Sequence, residues 1–338
     1  MNAFEPHPLL RNPHAQTFAA TLWPRRFPRL PRSTAREIET EPGTRIRGEC
    51  HWQAQPRERP TLVLVHGLEG SSDSGYMLGL AERAFAAGWN AVRLNQRNCG
   101  GTESLTPTLY NSGLSGDSRA VLFELIGQDS LPEIFFAGYS MGGNLVLKMA
   151  GELAGAAPRQ LRGVAAVCPS LDLAACADAV ALPGNFVYQS RFVNSLKDRM
   201  RRKVKLFPGK YDLSRMARVR TLREFDDVIT AAYCGFRDAA DYYAQSSALR
   251  VAGEIRVPAL VLTAQDDPFV PFASFSASAL ANNPYVTLIA PEHGGHCAFV
   301  SRYTGDARFW AEATVMEFCR QLSAAPFGRE EIEEQHRT

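Results

Sequence analysis

The chain of 338 residues is 45% hydrophobic and carries a formal net charge of +2, from 37 Lys and Arg against 35 Asp and Glu. This length suits an α/β domain with an insertion, and the composition allows a sizeable buried core. A charge so close to zero gives no overall argument for a nucleic-acid partner, and none is expected.

Cysteine usage and hydropathy limit the cellular compartment. The seven cysteines are odd in number and none has C-x-x-C spacing, so neither a disulfide framework nor a structural zinc site is expected, and a reducing compartment fits best. Prolines stand where a signal peptide would be apolar, and no run of about 18 uncharged apolar residues occurs. We therefore expect a cytoplasmic protein without a transmembrane segment; its oligomeric state is not specified.

Three segments differ in composition. Residues 1–35 are basic and rich in proline, which removes helix donors, so we expect an N-terminal arm without a helix. Residues 36–325 alternate between strand-like and helix-like runs, which predicts a mostly parallel sheet with helices on both faces. Residues 326–338 are charged and are predicted to form a frayed tail.

Eight strands and five helices are predicted in the second segment. The runs at 61–65 and 259–262 are continuously apolar, as in strands that are buried on both faces. The predicted strands are Arg36–Glu41, Arg47–Trp52, Thr61–Val65, Asn90–Leu94, Glu133–Ala137, Gly163–Cys168, Ala259–Thr263 and Val286–Ile289. The predicted helices are Tyr76–Ala87, Gly116–Gly127, Gly142–Leu153, Ser274–Ala281 and Phe309–Ser323.

Residues from about 173 to 253 break this alternation, because they are helix-prone and contain no strongly apolar strand. They are too long for a plain connection, so we predict a helical cap over the carboxyl edge of the sheet, where α/β proteins bind ligands. The run Lys197–Lys205 within the cap holds six basic residues and one acid. It is interpreted as a solvated helix face; the alternative is a rim of the pocket that contacts anionic lipid peripherally.

A tight turn between a predicted strand and a predicted helix carries the sequence Gly138-Tyr139-Ser140-Met141-Gly142. Glycines on either side of the serine let the two chain segments approach closely, so the turn can present the hydroxyl at the edge of the sheet. The helix that follows supplies free N–H groups and the positive end of its dipole. This G-x-S-x-G arrangement is typical of the α/β-hydrolase fold and makes Ser140 the predicted nucleophile.

The loop His66-Gly67-Leu68-Glu69-Gly70 directly follows the predicted strand at 61–65. In α/β hydrolases this loop brings one backbone N–H to the reacting carbonyl oxygen, and the residue after the nucleophile brings another. The backbone amides of Leu68 and Met141 are therefore the predicted oxyanion hole. His66 is interpreted as a loop histidine that holds backbone groups, with a role as base as the alternative.

An acid is expected between the nucleophile and the histidine in the chain order of this fold. Asp266 and Asp267 follow the apolar run at 259–263, and an acid at the end of a buried strand lies at the active edge of the sheet. Asp267, directly before Pro268, is the preferred acid. Asp266 and Asp172 are the alternatives, and a solvated turn is the purely structural interpretation.

His293 and His296 lie in a loop after the predicted strand at 286–289. His296, directly after Gly294-Gly295, is the predicted base, and His293 is the alternative. Two histidines three residues apart also occur in metal sites, but here the glycine pair makes a loop and no further ligand set is evident. Neither a metal nor another cofactor is therefore predicted.

Eight stretches carry a resemblance to a known family: Asn12–Thr17, His66–Gly70, Arg97–Gly101, Gly138–Asn144, Phe225–Asp227, Asp241–Tyr243, Asp266–Pro268 and Gly294–His296. With these stretches the sequence resembles the YheT-like group of α/β hydrolases, also called the AB-hydrolase 4 family. The resemblance runs from about Pro8 to Leu322 and implies carboxylesterase or acylglycerol-lipase-like activity with Ser140, Asp267 and His296 as the triad.

The sequence thus predicts a serine hydrolase that cleaves a small-molecule or lipid ester through an acyl-enzyme. An acyltransferase that uses the same triad with an alcohol in place of water is the alternative among enzymes, and a catalytically inactive binding scaffold is the alternative outside them. Cys99 lies in a loop predicted at the same edge of the sheet. It is interpreted as a packed residue, with a second nucleophile as the alternative.

Overall fold

An eight-stranded sheet runs through the protein, in a computed structural model that describes residues 3–276 and 279–324. The strands are β1 (Thr34–Glu41), β2 (Thr44–His51), β3 (Thr61–Val65), β4 (Asn90–Asn95), β5 (Ile134–Tyr139), β6 (Leu161–Val167), β7 (Ala259–Leu262) and β8 (Val286–Ile289). Their order in the sheet is β1-β2-β4-β3-β5-β6-β7-β8; β2 runs antiparallel to both of its neighbours, and β3 to β8 are parallel. The predicted mostly parallel sheet is confirmed.

Helices cover both faces of this sheet. The α-helices of the described residues are α1 (Pro13–Leu22), α2 (Gly75–Ala86), α3 (Ser115–Gly127), α4 (Met141–Leu153), α5 (Leu173–Val180), α6 (Phe186–Leu206), α7 (Leu222–Phe225), α8 (Ala232–Cys234), α9 (Ala239–Ser246), α10 (Ala273–Ser276) and α11 (Trp310–Ala324). Side chains of α3 and α4 belong to the apolar core on one face, and those of α2 and α11 to the core on the other.

The continuous apolar run of β3 follows from this two-sided cover. Val63 and Val65 belong to the core beneath α3 and α4, whereas Leu62 and Leu64 belong to the core beneath α2 and α11. Successive side chains of a strand point to opposite faces, so a strand covered on both sides needs apolar residues at every position. All five residues of β3 are buried.

Residues 3–35 contain a helix, α1, so the expectation of an arm without a helix was wrong. The side chain of Asn12 accepts hydrogen bonds from the His14 and Ala15 amides, and Pro13 occupies the first turn. Both are favourable at a helix start, since a proline there loses no intrahelical bond. Pro24 comes after the helix has ended, so the prolines bound α1 and do not interrupt it.

Helical segments fill the chain between β6 and β7, from α5 to a 3₁₀ segment at Ala248–Glu254, with a π-helix at Asp226–Ala231 between α7 and α8. Of the predicted helix Ser274–Ala281 the structure has α10, while residues 277–278 lie outside the described residues, as does the predicted tail at 326–338. No helix in the described ranges combines the length and apolarity that a bilayer span requires.

Candidate active site

Ser140 occupies the tight turn between β5 and α4, with backbone angles φ 54° and ψ −119°. The turn depends on the two flanking glycines. A Cβ on Gly138 would lie 2.1 Å from the Gly142 carbonyl oxygen, and a Cβ on Gly142 would lie 2.3 Å from the Val65 carbonyl oxygen. Because no larger residue fits at either position, the spacing of the motif is a packing requirement of this turn.

The loop after β3 lies directly against this serine. A Cβ added to Gly67 would approach the Cβ of Ser140 to 3.1 Å, and the Gly67 amide donates a hydrogen bond of 3.1 Å to the Tyr76 hydroxyl. Leu68 and Met141 both line the cavity that contains Ser140. The structure therefore brings both predicted oxyanion residues to the same cavity as the predicted nucleophile.

His66 is buried beneath this loop. Its Nδ1 lies 2.8 Å from the Gly67 carbonyl oxygen, and its Nε2 accepts a hydrogen bond of 3.2 Å from the Gln96 amide. Burial lowers the pKa of His66 to about 4, so the ring is neutral near pH 7. Both ring nitrogens contact backbone groups, so the role of this histidine is to hold the loop in place.

Asp267 and His296 are in hydrogen-bonding contact, with 2.8 Å between Asp267 Oδ2 and His296 Nδ1. The carboxylate is fully buried, and its Oδ1 accepts hydrogen bonds of 2.8 and 3.1 Å from the amides of Phe269 and Val270. His296 lines the same cavity as Ser140. Ser140 and His296, which follow β5 and β8, therefore border one cavity, and Asp267, which follows β7, orients the ring of His296.

The electrostatic environment of His296 includes the neighbouring thiol of Cys297. Burial would lower the pKa of His296, but the Asp267 carboxylate and the Cys297 sulfur raise it well above its ordinary value. Burial would raise the pKa of Cys297, but hydrogen bonding to Cys168 and the proximity of His296 lower it to about 6. The histidine and this cysteine therefore favour each other's charged forms.

The alternative acids and the alternative base take other positions. His293 Nδ1 lies 3.2 Å from Asp266 Oδ2, and Asp266 Oδ1 accepts a hydrogen bond of 3.0 Å from the Gly295 amide. The side chain of His293 is 43% exposed, against 12% for His296. Asp172 caps the N-terminus of α5 by accepting a hydrogen bond from the Ala175 amide. The geometry thus separates a more exposed Asp–His pair from the one that borders the cavity.

Comparison with known proteins agrees with the fold. A model of the alpha/beta hydrolase fold matches residues 60–303. The chain is 33% identical over 267 residues to the protein YheT of Escherichia coli (strain K12), an alignment that spans 78% of each chain.

The chain belongs to the YheT-like α/β hydrolases. A phospholipase of Mus musculus, ABHD3, is 29% identical to it over 243 residues, which are 72% of this chain and 59% of that protein. Among solved structures, the esterase Pf2001 of Pyrococcus furiosus superposes with a TM-score of 0.58 at 16% identity, over 86% of this chain and 92% of that one. That likeness shows the fold alone.

Helix α1 of this YheT-like hydrolase holds the loop that carries His296. The His296 amide donates a hydrogen bond of 2.9 Å to Thr17 Oγ1, and that hydroxyl donates one of 2.7 Å to the Pro13 carbonyl oxygen. Gln16 bonds both the amide and the carbonyl of Val300, each at 3.0 Å. This role of α1 was not predicted; the signal available in the sequence was the helix start Asn12-Pro13, followed by the polar residues Gln16 and Thr17.

The cavity of this hydrolase lies between the strand ends and the cap, and its lining is mainly apolar. Asp226 is a polar exception: its carboxylate accepts hydrogen bonds of 2.7 Å from Thr230 and of 2.7 Å from Tyr243, and burial raises its pKa to about 6. The apolar lining includes Leu173, Val180, Phe192, Leu196, Met200, Phe225, Phe269 and Val270. Such a surface suits the hydrocarbon part of a substrate.

Three of the six basic residues of the run Lys197–Lys205 in α6 are buried, so the interpretation of this run as a solvated helix face was wrong for those three. Lys197, Arg199 and Lys203 are buried. Lys197 donates a hydrogen bond of 2.7 Å to a backbone carbonyl, and Lys203 donates one of 2.9 Å to another. Residues four apart in a helix share a face, so Arg199 and Lys203 both turn inward and bury their apolar stems.

Arg199 joins the cap to the predicted oxyanion loop. It forms a salt bridge of 3.0 Å with Glu69, the residue after Leu68, and the side chains of this pair are 7% and 8% exposed. The Tyr110 hydroxyl donates a hydrogen bond of 2.6 Å to the same carboxylate, and Ser195 of α6 donates another. Loop and cap helix therefore share one buried polar cluster.

Cys99 belongs to this cluster as a packed residue. Its sulfur lies 2.8 Å from Arg199 Nη1, and the residue is fully buried. Burial raises the pKa of its thiol to about 11, so the reactive thiolate is scarce near neutral pH.

Arg199→Met is expected to lower the free energy of unfolding by about 3 kcal/mol, because it leaves Glu69 buried without its counter-ion. Arg201→Met is the matched control on the same helix, since the Arg201 side chain is 58% exposed, and it should cost less than about 0.5 kcal/mol. Urea denaturation measures both. The double variant Glu69→Gln, Arg199→Met should regain part of the lost stability. Equal free energies of unfolding for Arg199→Met and Arg201→Met would contradict this account.

Proposed function

We propose that the protein is a carboxylic ester hydrolase that uses Ser140, His296 and Asp267 as a catalytic triad. The observation that carries the proposal is the 2.8 Å contact between Asp267 and His296, at the edge of a cavity that also contains Ser140. Relatives named as an esterase and a phospholipase support ester cleavage. The apolar lining supports an ester with a hydrocarbon acyl group.

The reaction would begin with attack of Ser140 Oγ on the carbonyl carbon of the ester. Nδ1 of His296 is committed to Asp267, so Nε2 accepts the serine proton. The backbone amides of Leu68 and Met141 stabilise the negative oxygen of the tetrahedral intermediate. When that intermediate collapses, His296 returns the proton to the leaving alkoxide and an acyl-enzyme remains. His296 then deprotonates a water molecule, whose oxygen attacks the acyl carbon; the bond to Ser140 Oγ breaks, the acid leaves and His296 returns the proton to Ser140.

Labelling with a fluorophosphonate probe, followed by a panel of neutral esters of graded acyl length, tests this proposal. The probe should modify Ser140, located by peptide mass spectrometry, and hydrolysis should be fastest for acyl groups that fit the apolar cavity. His293→Gln is a matched control: it changes the Asp–His pair that is more exposed than His296 and should keep the wild-type rate within about threefold. Absence of labelling together with no turnover of any ester would contradict the proposal.

The rate should depend on pH in a way that follows from the raised pKa of His296. The base must be neutral, so activity is lost as the pH falls through the pKa of His296; a raised pKa puts that loss above the ordinary imidazole value of about 6.5. Cys297→Ala removes one of the groups that raise the pKa and should move the loss to lower pH. A profile of kcat/KM measures both, and an unchanged midpoint in the variant would contradict the assigned cause.

A further inference from the structure

Two cysteines flank the proposed base in a geometry that the hydrolytic reaction does not use. One ligand atom from each of Cys168, His296 and Cys297 can be chosen so that all three lie within 4.8 Å of one another. Cys168 directly follows β6, and the Cys297 amide donates a hydrogen bond of 3.2 Å to its sulfur. Both cysteines have positive φ, 45° and 61°, a backbone conformation that residues other than glycine rarely adopt.

These three groups have the chemistry and the spacing of a metal site. A tetrahedral zinc ion with Zn–S bonds near 2.3 Å and a Zn–N bond near 2.0 Å places its ligand atoms roughly 3.5 Å apart, so the site would close by about 1 Å. Two sulfurs and an imidazole prefer zinc or cadmium to magnesium or calcium. Binding would replace the weak contacts of the Cys168 sulfur at 3.7 Å to the Gly295 carbonyl oxygen and of the Cys297 sulfur at 3.5 Å to the Val167 carbonyl oxygen, together with the hydrogen bonds of Cys297 to Cys168 and His296.

We propose that Cys168, His296 and Cys297 form a binding site for a thiophilic divalent cation of the zinc class, and that its occupancy stops hydrolysis. The protons held by the two cysteines and by the ligating nitrogen of His296 pass to solvent as the metal–sulfur and metal–nitrogen bonds form. The inhibition, unlike the binding, rests on the proposed function of His296. A metal on Nε2 takes the lone pair that accepts the serine proton, and a metal on Nδ1 displaces Asp267; either removes the base.

Cobalt binding to the metal-free Ser140→Ala variant tests the site without reference to activity. Co²⁺ should give the near-ultraviolet sulfur-to-cobalt charge-transfer band and the visible bands of tetrahedral coordination, and Zn²⁺ should abolish both by competition. Adding Cys168→Ser or Cys297→Ala should weaken Co²⁺ affinity at least about tenfold, since each removes one ligand. Cys234→Ser and His293→Gln are controls that should leave the spectrum unchanged. No charge-transfer band, or the same band in both cysteine variants, would overturn the proposal.

Zn²⁺ titration of ester hydrolysis, with a phosphine reductant present, tests the consequence for the wild-type protein. Saturating Zn²⁺ should reduce the rate at least about tenfold, EDTA should restore it, and each cysteine variant, compared with its own zinc-free rate, should need at least about tenfold more Zn²⁺. Hydrolysis that persists while Zn²⁺ displaces bound cobalt would overturn the inhibitory role. Cobalt binding in a protein with no hydrolysis at any metal concentration would instead overturn the proposed function and leave the metal site standing.

Discussion

Ser140→Ala is expected to lower kcat/KM for ester hydrolysis by at least about 10³-fold while the protein stays folded. The substitution removes the attacking hydroxyl but keeps the Cβ that packs against Gly67. The backbone strain of the positive φ at this position should be the same for alanine as for serine, because both residues carry a Cβ. Initial rates on a short neutral ester measure the loss. Circular dichroism and the urea midpoint, both expected to match the wild type, show that the fold is retained.

Ser170→Ala is the matched control for this loss. Ser170 also lines the cavity, and its hydroxyl is buried without a hydrogen-bond partner among the described residues. If Ser140 alone is the nucleophile, Ser170→Ala should keep the rate within about tenfold of wild type. Near-wild-type turnover by purified Ser140→Ala would remove the proposed nucleophile.

Asp267→Asn is expected to lower the rate by about 10⁴-fold. Oδ1 of Asp267 accepts hydrogen bonds from two backbone amides, so an asparagine would keep its oxygen there and turn its NH₂ group towards His296. That group donates to Nδ1, which forces the imidazole proton onto Nε2 and leaves no lone pair facing the serine. Steady-state kinetics on the same ester measure the effect.

Asp266→Asn and Asp172→Asn are the comparisons, and each should cost at most about tenfold. Asp266 contacts His293 and the Gly295 amide, and Asp172 caps α5, so both changes affect local structure and not the ring of His296. If Asp172→Asn were the most damaging of the three, the acid would belong to the loop after β6. If Asp266→Asn were, the pair of Asp266 and His293 would become the candidate.

The sheet was largely predictable because its strands follow simple rules. The predicted bounds of β3 and β8 match the structure, and those of the other strands differ by up to three residues at an end. The motif around Ser140 was equally visible, since its two glycines are required by contacts shorter than 3 Å. The spacing of apolar residues, the burial that this spacing indicates and the need for glycine at a close backbone contact all depend on short stretches of chain. They can therefore be predicted from the residues of those stretches alone.

The position of α1 and the burial of Arg199 were not predictable in this way. A run of basic residues in a helix shows no sign of its partners, and the partner of Arg199 is Glu69, in a loop far earlier in the chain. In the same way, Thr17 gives no local sign that it will bond the His296 amide. These contacts are decided by tertiary packing, for which composition and periodicity carry no information.

The bond between Thr17 and His296 also bears on the order in which the protein folds. It joins residues 279 positions apart, so closing it requires ordering a very long stretch of chain. Contacts of such separation form late, after hairpins and neighbouring βαβ units have assembled. The loop of the proposed base is therefore set only when α1 docks. A refolding chain is therefore expected to regain its helical circular dichroism before its ester hydrolysis.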